Sequence, residues 1–385
     1  MNIVIAGGGA AAAAAAEKCR LLSPDSDITI FSDEAVLPYR RPRLVDLLNK
    51  DVLPENFFIR PEKFYKEHNI KIHLQSSVIG IDIAEKRITL LNNRTVNFDR
   101  LLLATGAESR KLPFRELNDN VFYLNSFADR QKIKSALDFC RNIAVIGGGV
   151  LGLEIAAKLL SCEHNVTLLE RNHDLLNGVL DKECSTFLRN KLFTHPRLRI
   201  ISNCQATGFT KRSSQLCCLL DNSVNRQIPA DMAICAIGTR PNNFPGSDSP
   251  IVTDEYLRTS YSPDIFAAGS CALVNGKSCE YYIPVLRQAE TAAANLLCSQ
   301  TEDMHKYRFP VPEFRCNLDN IKIYCAGNAL DPALATETQN DGISLKKLYY
   351  RQNHLVGCAM IGEHAATGEI YDTICRNTEK INAPA

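Results

Sequence analysis

Residues 142–172, NIAVIGGGVLGLEIAAKLLSCEHNVTLLERN, contain the pattern that decides the fold. An apolar strand runs into Gly147, Gly149 and Gly152, which have the spacing G-x-G-x-x-G, and a helix and a second strand follow. The first glycine permits a tight turn, the second lets the backbone approach a pyrophosphate, and the third lets the helix pack closely on the strand. The stretch therefore predicts a dinucleotide-binding βαβ unit.

The chain begins with a similar unit, residues 2–33, NIVIAGGGAAAAAAAEKCRLLSPDSDITIFSD. Gly7 and Gly9 are followed by Ala12 in the third position, and the alanine run predicts a helix. In both units the free N–H groups and the positive dipole end of the helix N-terminus favour phosphate. Two such units predict two bound dinucleotides and suggest electron transfer between a flavin and an exchangeable nicotinamide.

Acidic residues near the ends of the second strands indicate how each ribose is held. Glu170 favours NADH because its carboxylate accepts a hydrogen bond from the ribose 2′-OH and repels a 2′-phosphate. Arg171 follows directly and favours a phosphate, which leaves NADPH as the less favoured alternative. In the first unit we expect Asp33 to accept a hydrogen bond from the adenosine ribose.

Three further apolar strands end in small residues, at Thr105–Gly106, at Gly238 and at Gly269. Ligands of open parallel sheets lie outside such carboxyl ends, so these turns are candidate binding segments. A plain strand followed by a turn is the other interpretation of Gly238, which precedes an Arg-Pro pair.

Two segments lie outside the glycine turns. LPYRRPRL, residues 37–44, carries Arg41, which is either a pyrophosphate clamp or part of a solvated turn. A helix predicted to begin near Pro284 would stabilise a reduced flavin through its dipole, if it is not simply a surface helix.

Composition excludes several classes of function. The 385 residues carry a formal net charge of +1, which gives no indication of nucleic acid or an anionic membrane as a partner. No apolar run approaches the roughly 20 residues that span a bilayer, and no leader pattern precedes the first strand. The 15 cysteines include no Cys-x-x-Cys pair, and the eight histidines lack metal-ligand spacing. We expect a cytoplasmic protein with reduced thiols and no bound metal.

The order of the motifs resembles that of the pyridine nucleotide-disulfide oxidoreductase-like flavoproteins over residues 2–297. The motifs are GGGAAAAAAA, LPYRRPRL, FDRLLLATGA, VIGGGVLGLEIA, AIGTRPN, IVTDEYLRTS and PDIFAAGSCA. Within the family they are most similar to those of NADH:rubredoxin reductases and of the flavoprotein part of assimilatory nitrite reductases.

This resemblance implies an α/β fold with two Rossmann-like domains of the three-layer ββα, glutathione-reductase-like type. It also implies a small α+β domain at the C-terminus. The expected domains are a discontinuous FAD-binding domain, 1–112 and 241–310, an NAD(H)-binding domain, 113–240, and the small domain, 311–385.

The resemblance also implies the binding residues. Glu154 is expected beside the nicotinamide ring, as the catalytic residue. The expected FAD-binding residues are Gly7, Gly9, Ala10, Ala12, Asp33, Arg41, Ala104, Thr105, Gly106, Gly269, Ser270 and Pro284. The expected NAD-binding residues are Gly147, Gly149, Val150, Leu151, Glu154, Glu170 and Gly238.

The sequence departs from the family pattern in three ways. No cysteine lies between Cys19 and Cys140, where disulfide- and peroxide-reducing members carry their redox cysteines, so these activities are not expected. Asp46 stands where many ferredoxin-reductase relatives have a lysine near the flavin. Ser270 replaces an aspartate that binds the ribityl chain, and losing that bond, worth about 1–3 kcal/mol, predicts FAD binding roughly ten- to hundred-fold weaker.

These features together predict an FAD-dependent NADH oxidoreductase that reduces a small electron-carrier protein such as rubredoxin without a redox-active cysteine. The first alternative is a weakly catalytic regulatory flavoprotein that responds to NADH, which Ser270 and Asp46 favour. The second is the reductase component of a multi-protein nitrite reductase or oxygenase. A monomer and a homodimer are both compatible with the sequence.

Overall fold

A computed structural model describes residues 1–114, 120–212, 215–220, 227–279, 281–318, 320–363 and 367–382. Short 3-10 helices occupy Arg41–Leu47 and Thr301–Asp303. The α-helices are α1 (Ala10–Leu22), α2 (Glu62–Glu67), α3 (Phe127–Leu137), α4 (Val150–Ser161), α5 (Lys182–Leu192), α6 (Tyr282–Leu296) and α7 (Thr367–Asn382).

The chain divides into two compact units. The first comprises Met1–Glu108, Asn125–Ala128 and Thr239–Phe309, and the second comprises Ser109–Leu124, Asp129–Gly238 and Pro310–Ala385. The segment 311–385, expected as a domain of its own, lies within the second unit. The assignment of each unit to one cofactor stays a prediction.

A five-stranded parallel sheet forms the centre of the first unit. Its strands, in order across the sheet, are Ile265–Ala267, Arg100–Leu103, Asn2–Ala6, Asp27–Phe31 and Ile70–His73. One face packs on α1 and α6, and the other on an antiparallel meander of Val78–Asp82, Arg87–Leu90 and Thr95–Asn97. Two further strands, Ile251–Thr253 and Ala272–Val274, pair in parallel. These layers give the expected three-layer ββα arrangement.

The alanine run at the start of the chain sets the spacing of the helical layer. Ala12, Ala15 and Ala16 of α1 are fully buried against the sheet and against α6, as are Ala289 and Ala293 of α6. Methyl side chains let two helices approach closely, and alanine costs the least on helix formation. The run is therefore a packing surface.

The second unit repeats this plan around another five-stranded parallel sheet. Its order is Leu198–Ile201, Asn165–Leu169, Asn142–Ile146, Met232–Cys235 and Val121–Tyr123. An antiparallel sheet of Ala206–Arg212, Gln215–Leu220 and Gln227–Ala230 packs beside it. The strands Ala107–Ser109 and Thr239–Pro241 form a two-stranded sheet. Both lie at positions in the sequence where one unit ends and the other begins.

The C-terminal part of the second unit is α+β, as expected, with α7 packed on an antiparallel sheet. The sheet order is Glu313–Leu318, Ile321–Gly327, His354–Ile361, Leu345–Arg351 and Ala335–Asn340. The apolar pattern of this C-terminal segment predicts only two or three strands and a closing helix, whereas its described residues form five strands. Ala335–Asn340 is exposed along its whole length, so it lacks the apolar alternation that marks a strand.

Lys347 joins this C-terminal sheet to the N-terminus of α5. Its Nζ lies 2.7 Å from Asp181 Oδ2 and 2.6 Å from Glu183 Oε2. Asp181 also caps α5, because its Oδ1 accepts the N–H of Cys184 at 2.9 Å, and it accepts the hydroxyl proton of Tyr349 at 2.9 Å. The buried ammonium group is thus compensated by two carboxylates.

Candidate cofactor sites

The first glycine turn lies at the carboxyl end of the strand Asn2–Ala6. Gly7 has a φ of +123°, and a Cβ on it would lie 2.1 Å from the carbonyl oxygen of Ala104, so only glycine fits. A Cβ on Gly9 would instead meet no described atom within 4 Å. Gly9 provides no side chain to cap α1, which leaves the N–H groups beginning at Ala10 available to an anion. Ala12 is fully buried, as the third position of the motif requires.

The acid of the first unit lies at a different strand register from the acid of the second unit. Ala6 pairs with Phe31 as Ile146 pairs with Leu169, so the residue that corresponds to Glu170 is Ser32. Asp33 lies one residue further on and is exposed, whereas Ser32 is fully buried. The sequence did not reveal this register because the strand end is not marked by residue type.

Glu34 is the carboxylate partner of the candidate clamp Arg41, and the sequence interpretation missed it. Its Oε1 lies 2.8 Å from Nη2 of Arg41, and its Oε2 accepts from the Tyr39 hydroxyl at 2.9 Å and from the Phe127 N–H at 3.1 Å. Arg41 also donates to the carbonyl oxygen of Asn125 and is 41% exposed. The expected phosphate clamp is thus anchored by a carboxylate, with part of its guanidinium open to solvent.

The turn Ala104–Gly106 follows the strand Arg100–Leu103 at the same end of the sheet. The Thr105 carbonyl accepts from Nδ2 of Asn242 at 2.7 Å, and the Gly106 carbonyl accepts from the Asn242 N–H at 3.0 Å. Thr105 Oγ1 is buried and has no hydrogen-bond partner among the described residues. A Cβ on Gly106 would meet no described atom within 4 Å, so open space adjoins this turn.

Gly269 and Ser270 follow the strand Ile265–Ala267. The N–H of Gly269 donates to Oε1 of Gln288 at 2.7 Å, and the hydroxyl of Ser270 donates to the Cys279 carbonyl at 2.9 Å. Pro284 lies in the first turn of α6, where its missing N–H costs nothing. A Cβ on Gly269 would lie 3.1 Å from the Ala11 Cβ, so the structure brings this turn against the start of α1.

The second glycine turn repeats these relations in the second unit. A Cβ on Gly147 would lie 2.3 Å from the Ala236 carbonyl oxygen, and one on Gly152 would lie 1.9 Å from the Gly147 carbonyl oxygen. Gly149 precedes Val150 and Leu151, the first residues of α4, and a Cβ on it would meet no described atom within 4 Å. The turn is therefore closed at its first and third glycines and open at its second, as the motif requires.

Glu170 is held in place by the turn itself. Its Oε2 accepts the N–H of Gly148 at 2.5 Å, and its Oε1 accepts the N–H of Asn172 at 2.7 Å. The carboxylate is 8% exposed. Each oxygen keeps further lone pairs, so the group can still accept a hydrogen bond from a ribose.

Glu154 lies on α4, which packs on the strand Glu313–Leu318 of the C-terminal sheet. Burial raises the pKa of the Cys316 thiol on that strand, and the charge of the hydrogen-bonded Glu154 carboxylate raises it further. Cys316 therefore stays protonated and can donate to Glu154, a contact that no local sequence signal indicates. Gly238 has a φ of +98° and accepts the Arg110 N–H at 2.9 Å.

The residues present fit the two nucleotides. Each unit has a closed first glycine, an open second glycine and a helix N-terminus that begins with apolar residues. The first unit also holds five buried polar atoms without hydrogen-bond partners among the described residues, and two of them, Thr105 Oγ1 and Gln288 Nε2, lie at the turns described above. No group of histidine, cysteine or acidic residues within the described part of the chain is arranged to hold a metal ion. None of the described helices is both long and apolar enough to cross a bilayer.

Comparison with known proteins identifies the class. Residues 1–295 match the family model described as pyridine nucleotide-disulphide oxidoreductase. The chain belongs to this family, and the resemblance and the fold class expected from the sequence are confirmed. It is an oxidoreductase of the type that uses FAD and a pyridine nucleotide.

Particular relatives cover nearly the whole chain. It is 27% identical over 378 residues to a rubredoxin-NAD(+) reductase of Pseudomonas putida, across 94% of this chain and 96% of the relative. It is 30% identical to a rhodocoxin reductase of Rhodococcus erythropolis, across 85% and 78%. The covalent putidaredoxin reductase–putidaredoxin complex matches with a TM-score of 0.85 and 25% identity, across 98% and 93%.

Proposed function

We propose that this chain oxidises NADH and passes the electrons through FAD to a small electron-carrier protein of the rubredoxin type. The observation that carries the proposal is the pair of dinucleotide turns, at Gly7 and Gly147, in one chain without a cysteine between Cys19 and Cys140. Relatives named rubredoxin-NAD(+) reductase and rhodocoxin reductase support the choice of acceptor.

The residues of the first unit bind and orient FAD. The N–H groups of the first turn of α1 and the guanidinium of Arg41 bind the pyrophosphate, and the turns at Thr105–Gly106 and Gly269–Ser270 line the flavin. The N-terminus of α6 places positive dipole charge near the flavin ring, where it favours a reduced, anionic flavin. When bound, FAD supplies a hydride acceptor that can release electrons one or two at a time.

The residues of the second unit bind NADH. The N–H groups at the start of α4 bind its pyrophosphate, and Glu170 accepts from the ribose 2′-OH and disfavours a 2′-phosphate. Glu154 lies beside the nicotinamide and orients it, held by the thiol of Cys316. With no cysteine between Cys19 and Cys140, this chain has no redox thiol in the expected position, so the electrons leave to an external protein.

The setting that suits this activity is the cytoplasm. All 15 cysteines are free thiols, which is typical of a reducing compartment. The acceptor is expected to be a soluble iron–sulfur protein that docks at the exposed flavin edge.

The test begins with the absorption spectrum of the purified protein. A yellow flavin spectrum that bleaches within seconds of anaerobic NADH addition, followed by reduction of added rubredoxin, supports the proposal. A protein that takes up no FAD, or whose flavin NADH leaves oxidised, contradicts it. A flavin that NADH reduces without any transfer to rubredoxin or a ferredoxin contradicts the assigned acceptor.

A further inference from the structure

We propose that Gln288 is an FAD-binding residue, whose Nε2 donates a hydrogen bond to a pyrophosphate oxygen of FAD beside Gly269. The proposal rests on the proposed function only in requiring that the first unit binds FAD. Gln288 lies on α6, outside the glycine motifs.

The orientation of the Gln288 amide is fixed by one contact. The N–H of Gly269 lies 2.7 Å from one terminal atom of Gln288, and because an N–H needs an acceptor, that atom is Oε1. The other terminal atom is then the Nε2 amino group, with two protons to donate. Gln288 thus supports the turn with its oxygen and offers its nitrogen to a second partner.

No described residue takes that second bond. Gln288 is fully buried, and its Nε2 has no hydrogen-bond partner among the described residues. A buried donor left unpaired costs about 1–3 kcal/mol, and native proteins avoid it. A ligand or a buried water is therefore needed to complete the site.

The surroundings of Gly269 favour an anionic ligand oxygen. The turn lies against Ala11 in the first turn of α1, where a Cβ on Gly269 would come within 3.1 Å of the Ala11 Cβ. This is the helix end whose N–H groups and dipole attract phosphate. A donor on Gln288 adds a neutral hydrogen bond at the place where negative charge is already favoured.

Ser270 makes the contribution of Gln288 more important. Its hydroxyl proton is donated to the Cys279 carbonyl at 2.9 Å, so it is engaged within the protein. At this turn, Gln288 Nε2 is a buried side-chain donor without a partner among the residues that the structure describes. We infer that Gln288 compensates for part of the binding lost with the family's aspartate.

The experiment measures FAD binding to apoprotein by flavin fluorescence at pH 8, with no activity assay. Q288E keeps an oxygen acceptor for Gly269 but replaces the donor with a carboxylate oxygen. We expect its dissociation constant for FAD to rise at least about tenfold while the thermal unfolding midpoint of the apoprotein stays near that of wild type. E290Q, at an exposed position on the same helix, is the matched control and should bind FAD as wild type does.

Q288M provides a second variant in case the buried carboxylate prevents folding, since it removes the donor without adding charge. FAD binding by Q288E or by folded Q288M within about twofold of wild type would overturn the inference and indicate a buried water as the partner. Failure of the wild-type protein itself to bind FAD would contradict the proposed function, which is a distinguishable result.

Discussion

Ser270 donates its hydroxyl proton to the carbonyl oxygen of Cys279, with the two oxygens 2.9 Å apart. The bond closes the loop that follows the strand Ile265–Ala267. The expectation of weaker FAD binding treated Ser270 as a shortened ligand. The observed hydrogen bond indicates that Ser270 stabilises the fold of this loop. Its contribution to protein stability can therefore be measured separately from any contribution to FAD binding.

S270A is therefore expected to lower the free energy of unfolding by about 1 kcal/mol and to leave FAD affinity within roughly twofold of wild type. Urea denaturation of the apoprotein and FAD titration measure the two quantities. Tenfold weaker FAD binding by S270A, with unchanged stability, would show that the hydroxyl contacts the cofactor instead.

E170Q is expected to reduce the preference for NADH over NADPH by about tenfold, because the amide no longer repels a 2′-phosphate. The KM values of wild type and variant for the two nucleotides give the ratio. R171A is the companion variant, and it should raise the KM for NADPH without changing the KM for NADH. An unchanged ratio in E170Q would exclude Glu170 as the selective residue.

R41A is expected to weaken FAD binding by about tenfold, because it removes a charge-assisted phosphate contact. Part of the effect will come from Glu34, which loses its ion-pair partner at 2.8 Å. R43A removes an arginine of the same 3-10 helix that contacts Asp46 at 3.8 Å and is the matched control. Equal FAD affinity in R41A and R43A would contradict the phosphate role.

K347M is expected to lower the free energy of unfolding by about 1–3 kcal/mol near neutral pH, because it leaves Asp181 and Glu183 without their cation. K346M, at the neighbouring position on the same strand, is the control and should have little effect. Urea denaturation at several pH values measures both variants.

The pH dependence of that difference follows from two pKa shifts. Burial raises the pKa of Asp181, but the Cys184 N–H, Lys347 and Tyr349 outweigh burial and hold it below its ordinary value. Burial lowers the pKa of Lys347, and the two carboxylates outweigh that and raise it.

Because the folded-state pKa of Asp181 is lowered, its carboxylate stabilises the folded protein above the unfolded pKa of about 4, and this stabilisation is lost as pH falls. Because the folded-state pKa of Lys347 is raised, its ammonium group stabilises the folded protein below the unfolded pKa of about 10.4. This stabilisation is lost as pH rises through the folded-state pKa. The difference in the free energy of unfolding between wild type and K347M should therefore be largest from about pH 5 to 9 and should become smaller below about pH 4. A gap independent of pH would contradict the ion-pair explanation.

The glycine turns could be predicted because their causes are local. The Cβ that would collide at Gly152 meets the carbonyl oxygen of Gly147, and the open backbone at Gly149 lies between them in the same segment of strand, turn and helix. The same steric rules apply to any chain with this spacing. The family that the ordered motifs indicated is confirmed by the comparison with known proteins. The role of each named binding residue stays a prediction.

The strand register limited the interpretation of the acid in the first unit. The position equivalent to Glu170 is occupied by Ser32, one residue before Asp33. A shift of one residue along a strand sends the side chain to the other face, and only the observed pairing fixes which residue ends the strand. The register of Asp33 thus differs from that of Glu170, and its contact with the adenosine ribose stays a prediction.

The sequence by itself determined two dinucleotide-binding units and their order, because each is encoded by short-range backbone sterics and hydrophobic pattern. Only the tertiary structure decided which side chains meet around these turns and helices: Gln288 with Gly269, Ser270 with Cys279, and Cys316 with Glu154. Each of these pairs joins separate elements, and their contact depends on how helices pack on sheets. No local residue pattern records that packing.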